Sequence, residues 1–62
     1  MNVDAYLIKR NDPKMYFVRL RKPIEGTTIY KTPLTKRRAD AVQDANDWAA
    51  ENEVVIDRFI QR

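Results

Sequence analysis

The sequence predicts a single α+β domain in the order β-β-β-α-β: a three-stranded antiparallel meander, one helix packed on one face of it, and a final strand. Three observations predict this. Two runs rich in aromatic and β-branched residues, Val3 to Arg10 and Met15 to Lys22, flank the turn-forming Asn11-Asp12-Pro13-Lys14. Apolar residues then recur at helical spacing, at Ala41, Val42, Ala45, Trp48 and Ala49. Beyond Asn52, β-branched residues return in Val54 to Ile60.

Taken in order, the first two runs form a hairpin. A looser link, Pro23 to Gly26, leads to a third short strand, Thr27 to Thr32, which Pro33 ends. Thr35 is placed to cap a helix running from Lys36 to Asn52. Its stripe of Val42, Ala45, Trp48 and Ala49 is expected to pack on Leu7, Val18, Leu20 and Ile56, with Trp48 as anchor and the alanines letting the helix approach the sheet. All helical mass then lies on one side, and the other face of the sheet is bare.

Composition bounds the chemistry. The 62 residues make one domain, 1-62, and at that size folding buries only about 60 % of the surface of the unfolded chain, so no deep cleft is expected. The chain has no His, Cys or Ser, which removes the usual general base, the usual nucleophiles and every strong zinc ligand. A non-enzymatic protein without cofactor or metal is expected. Without disulfides so small a domain suits a reducing interior, and the start of the chain has neither the apolar run of a signal peptide nor any span of about 20 apolar residues. A soluble, cytoplasmic protein that does not engage membranes is the expectation.

Charge divides unevenly. Met1 to Arg38 holds ten Lys/Arg against three Asp/Glu, whereas Ala39 to Arg62 holds two against six. Such asymmetry marks an electrostatic binder. In the second strand Tyr16, Val18 and Leu20 share one face and Phe17, Arg19 and Arg21 the other. The second set is expected to be open, joined by Tyr6, Ile8 and Arg10 from the first strand and by Thr28, Tyr30 and Thr32 from the third, with Lys31 beside them. Arg can bond guanine edges or phosphates bidentately, and aromatic rings offer stacking, so this face suits nucleic acid. The plain structural alternative is that Phe17 and Tyr30 form a cross-strand pair and the arginines keep the sheet soluble.

Two further features carry charge. Lys36, Arg37 and Arg38 are expected in the first helical turn, where the dipole disfavours cations, and could hold a phosphate or an acidic side chain; the alternative is a solvated turn with Lys36 paired to Asp40. Asp40, Asp44, Asp47 and Glu51 fall on one stripe of the helix, either a solvent face or a docking strip for a basic partner or a second copy.

The run Tyr16-Phe17-Val18-Arg19-Leu20-Arg21, followed by Tyr30-Lys31-Thr32 and then Thr35-Lys36 with Ala39, Ala45 and Trp48, resembles the arm-type DNA-binding domain of phage tyrosine recombinases. That resemblance implies a three-stranded sheet entering the major groove with a helix behind it, and makes Arg19, Arg21 and Lys31 the base- or phosphate-contacting candidates. In order of elements, Met15 to Arg62 is also similar to the small podophage inhibitors of bacterial RNA polymerase. The expectation is a small binding protein of phage or mobile-element style. Its nucleic-acid set is Arg10, Phe17, Arg19, Arg21, Tyr30, Lys31, Lys36, Arg37 and Arg38, and duplex DNA is the preferred ligand. The rival is a protein-interaction module or host inhibitor docking on a nucleic-acid-processing protein through Asp40, Asp44, Asp47 and Glu51. A monomer is expected, with a homodimer as the alternative.

Overall fold

A computed structural model describes residues 1–61. Strand β1 (Asn2–Arg10) and strand β2 (Met15–Arg21) form the expected hairpin, followed by β3 (Thr28–Lys31), helix α1 (Arg38–Glu51) and β4 (Val55–Gln61). The strands form one sheet in the order β3-β2-β1-β4. The first three are antiparallel, as the meander requires, but β4 runs parallel to β1 and makes the sheet mixed. The helix causes this. It carries the chain from the Tyr16 end of the sheet back to the Asn2 end, where the Val55 N–H donates to the Met1 carbonyl at 2.8 Å and starts β4 alongside β1.

The core lies between helix and sheet. Val3, Ala5 and Leu7 of β1 and Tyr16, Val18 and Leu20 of β2 meet Ala41, Ala45 and Ala49 of α1, all buried. The three alanines recur at i, i+4 and i+8, so their methyl groups form a single stripe that brings the helix backbone close to the sheet. So close an approach leaves no room for an indole between the layers. Trp48 therefore sits at the margin rather than the centre, half-buried, with its ring stacked on Tyr30 at 4.4 Å between centroids and 7° between planes.

That stack corrects the expected place of Tyr30. The β2–β3 loop is closed by Lys22 N–H to Thr27 O (3.0 Å) and Gly26 N–H to Lys22 O (2.8 Å). In the resulting register Leu20 faces Tyr30, so Tyr30 shares the helix side with Leu20. A bulge at Ile29 then returns Thr28 to the open face opposite Arg21. Thr32 also leaves the open face: it is buried, its hydroxyl oxygen accepts the Val18 N–H at 2.9 Å, and its own N–H donates to the Val18 carbonyl.

The helix begins later than expected for a related reason. Thr35 exchanges both backbone hydrogen bonds with Tyr16, at 2.7 and 2.9 Å, so it prolongs the sheet edge and cannot cap the helix. Arg37 occupies the N-cap with no side-chain cap bond, and the Thr35 hydroxyl donates instead to the Arg37 carbonyl at 2.8 Å. At the far end Asn52 is the C-cap, as its position suggests, and donates from both backbone and side chain to the Trp48 carbonyl. Val54 N–H reaches back to Ala49 O at 2.9 Å, the long bond of a Schellman turn, which obliges Glu53 to adopt φ 56°.

Candidate functional site

Every second residue of the two central strands projects onto the bare face. Register aligns these residues in rows: Thr28, Arg21, Asp4 and Arg58; then Lys31, Arg19, Tyr6 and Ile60; then Phe17 and Ile8; then Met15 and Arg10. The first, second and fourth rows carry the charge, and Tyr6, Ile8, Phe17 and Ile60 form a half-buried apolar floor. Arg10, Phe17, Arg19 and Arg21 thus share this face, and the register that turns Tyr30 inward brings Lys31 to it beside Arg19.

Each cation on this face has its own surroundings. The Arg21 guanidinium lies 5.4 Å from the Tyr6 ring centroid, and its Nε donates to the Gly26 carbonyl at 3.1 Å. Arg19 Nε is shielded from solvent and has no acceptor among the described residues, so a donor is left open in the middle of the face. Arg10 and Lys31 are exposed and form no ion pair with the described residues.

Two residues of this face were not singled out from the sequence. Asp4 is 3 % exposed and accepts two bonds from Arg58, Nη2 to Oδ2 at 3.0 Å and Nε to Oδ1 at 3.3 Å. The Arg58 hydrogen bonds hold the Asp4 carboxyl below its ordinary value of 3.8 against the opposing effect of burial, and Arg58's charge adds to the lowering. The same pairing raises the Arg58 pKa. A lone acid inside the first β-rich run was the available signal for Asp4. For Arg58 there was none, since strict alternation puts it on the same face as Ile56, and only a bulge after that residue turns it to the open side. Because Arg58 engages Asp4, the one carboxylate in these rows, Arg10, Arg19, Arg21 and Lys31 form no ion pair with the described residues.

The remaining candidates lie elsewhere. Tyr30 is on the helix side, against Trp48. Arg38 alone of the three consecutive cations is in the first helical turn, and its guanidinium lies 5.5 Å from the Tyr16 ring centroid, also on the helix side. Lys36 and Arg37 precede the helix, exposed, and Lys36 forms no ion pair with Asp40. Asp40, Asp44, Asp47 and Glu51 run along the flank of α1 that carries Trp48, Asp44 preceding it by one turn. Asp47 accepts from Gln43 Nε2 at 2.7 Å, and none of the four acids forms an ion pair with the described residues.

No group of His, Cys or carboxylate side chains among the described residues is placed to hold a metal ion, and no helix is long and apolar enough to cross a membrane. The chain matches no family model, no curated protein and no solved structure.

Proposed function

We propose that this protein is a non-enzymatic nucleic-acid-binding domain that docks duplex DNA on its open sheet face. The observation that carries the reading is the set Arg10, Arg19, Arg21 and Lys31 on one surface, with the single acid of their rows, Asp4, neutralised by Arg58. The four cations lie on three adjacent strands of the four, β3, β2 and β1, which at a spacing of about 4.8 Å span about 10 Å, comparable to a major groove about 12 Å wide. Duplex is preferred over single strands because Arg21 lies over the Tyr6 ring and Phe17 is half-buried, so the rings of this face offer limited stacking surface beside four cations. The orphaned Arg19 Nε gains an acceptor when the guanidinium swings outward to a phosphate or a guanine edge.

Anisotropy titration of a labelled mixed-sequence duplex tests this. Four phosphate contacts give a log–log salt slope of about −3.6, so affinity falls about 150-fold between about 50 and 200 mM salt. Arg19→Ala combined with Lys31→Ala, two residues whose side chains form no hydrogen bond or ion pair with the described residues, shallows that slope by about 1.8 without loss of fold. Absence of binding at low salt, or an unchanged slope in the double variant, refutes the proposal.

A second reading has one observation in its favour: Asp40, Asp44, Asp47 and Glu51 line one helix flank without an ion pair to the described residues. On that reading the protein docks a basic surface of a host nucleic-acid-processing protein. Asp44→Lys with Asp47→Lys separates the two, since it abolishes such docking and leaves or strengthens duplex binding.

A further inference from the structure

Of the consecutive cations Lys36, Arg37 and Arg38, only the last lies in the first helical turn, where local physics opposes it. The positive end of the helix dipole disfavours a cation there, and Arg37 at the N-cap makes no side-chain bond to the first free N–H groups. Thr35, by exchanging both backbone bonds with Tyr16, delivers this uncapped start over the end of the sheet. A local rule broken on the surface, with nothing in the fold to offset it, points to a ligand.

Arg38 forms one wall of a hollow of about 60 Å³ that is lined also by Leu7, Lys9, Tyr16 and Gln61. Register assembles it. Lys9 faces Tyr16 across the hairpin, and Leu7 faces Gln61 across the β1–β4 pairing, all on the helix side of the sheet. Lys9 and Arg38 are exposed and form no ion pair with the described residues, and no carboxylate lines the hollow. Asp40, the acid of the first turn, lies on the Trp48 flank instead.

Tyr16 supplies an independent sign. The residue is 7 % exposed, and the Arg38 guanidinium stands 5.5 Å from its ring centroid. Its hydroxyl has no hydrogen-bond partner among the described residues and is not shielded from solvent, so it opens into the hollow that Tyr16 lines. A tyrosine carried this deep ordinarily has its hydroxyl bonded. Two cations, a phenol and an amide thus surround a space of about two water volumes, a set of donors without an anionic acceptor.

We propose that this hollow binds a phosphate dianion, free or as the terminal group of a small molecule. Lys9 and Arg38 match its two charges, the Tyr16 hydroxyl donates to one of its oxygens, and the uncapped helix start adds its positive potential. A chain-internal phosphodiester, with one charge and a substituent on either side, fits the hollow less well. The hollow and the basic face lie on opposite sides of the sheet, so each binds without the other.

Amide and aromatic NMR spectra of the whole chain, titrated at constant ionic strength and about pH 7.5 with inorganic phosphate, methyl phosphate and dimethyl phosphate, test this. The dianions should give saturable shifts at Lys9, Tyr16, Arg38 and Ala39 with a Kd of about 1 mM, and the diester should bind more weakly by about fivefold or more. Saturation by both dianions assigns the site to the terminal group, and saturation by inorganic phosphate alone assigns it to the free ion. Tyr16→Phe removes one oxygen and keeps the packed ring, so it should keep the native circular dichroism and weaken phosphate by about fivefold. Lys9→Gln with Arg38→Gln, both on exposed side chains, should weaken it by about tenfold or more, while Arg10→Gln on the basic face leaves it unchanged. Shifts that never saturate, shifts confined to the basic face, equal affinity for the diester, or native affinity in the Lys9/Arg38 double variant overturn the proposal.

Discussion

Arg19 and Leu20 are neighbours in one strand, yet they belong to two different molecules in a physical sense. Leu20 lies fully buried under the alanine stripe of α1, in a layer made of Val3, Ala5, Leu7, Val18 and Leu20. Arg19 faces the other way, half-buried beside Lys31 and Tyr6, with a donor left unanswered. The centre of the covered face satisfies itself: its apolar side chains are out of water and the buried Thr32 hydroxyl is bonded. The bare face does not. Its cations outnumber its acids, and its largest rings stay partly wet. Because side chains alternate strictly in β2, stability and binding are assigned to even and odd positions of the same seven residues.

That division can be broken most directly at Leu20. Leu20→Ala is expected to cost about 3 kcal/mol, a large share of the stability of so small a domain, whereas Arg19→Ala stays within about 0.5 kcal/mol. Urea unfolding followed by tryptophan fluorescence measures both, and equal midpoints for the two variants would end the comparison. The margin of the covered face should respond less. Trp48→Ala is expected to cost about 2 kcal/mol, below the 3–5 kcal/mol of a fully enclosed aromatic, because the ring is half-buried against Tyr30. A double-mutant cycle of Trp48→Ala with Tyr30→Ala should return a coupling of about 1 kcal/mol; additive losses would mean that the stack carries no energy beyond burial.

The bare face makes its own, smaller contribution through Asp4. Its carboxyl is held below the ordinary value, so the folded state prefers the ionised form. The stability this confers is fully present above the unfolded pKa near 3.8 and is lost as pH falls through the lower folded value. Unfolding midpoints measured between about pH 5 and pH 2 should therefore decline less steeply for Asp4→Asn than for the native chain. Parallel curves would show that Arg58 does not depend on that charge. Smallest of all, and belonging to neither face, is the turn after the helix. Glu53→Gly should raise stability by about 0.5–1 kcal/mol, since φ 56° strains any side chain there, and thermal unfolding would detect the gain.

How much of this is legible in the chain depends on how far a residue's partner lies along it. The hairpin is local: Asn11 to Lys14 turns the chain, and Ile8 and Phe17 then face each other three positions out on either side. The parity of β2 follows from its own alternation, so Phe17, Arg19 and Arg21 could be assigned to the open face before any tertiary contact was known. The helix could be read from its alanine spacing and its end from Asn52. Tyr30, Thr35 and Arg58 could not be placed. Tyr30 turns inward because the register against β2 is set by the closed loop and the Trp48 stack, and a one-residue difference in register exchanges the faces. Thr35 looks like a helix cap until Tyr16, far away in sequence, takes both of its backbone groups.

The sequence by itself determined the element order, the antiparallel meander, the face on which β2 shows its arginines and the excess of positive charge in the first 38 residues, because each of these follows from neighbours in the chain. Only the tertiary structure decided that β4 lies parallel to β1, that Asp4 is spent on Arg58, that tryptophan yields the centre of the core to alanine, and that Lys9 and Arg38 meet beside Tyr16. Those outcomes depend on bulges, register and the distance between layers. All three are set by contacts between segments that no local pattern couples.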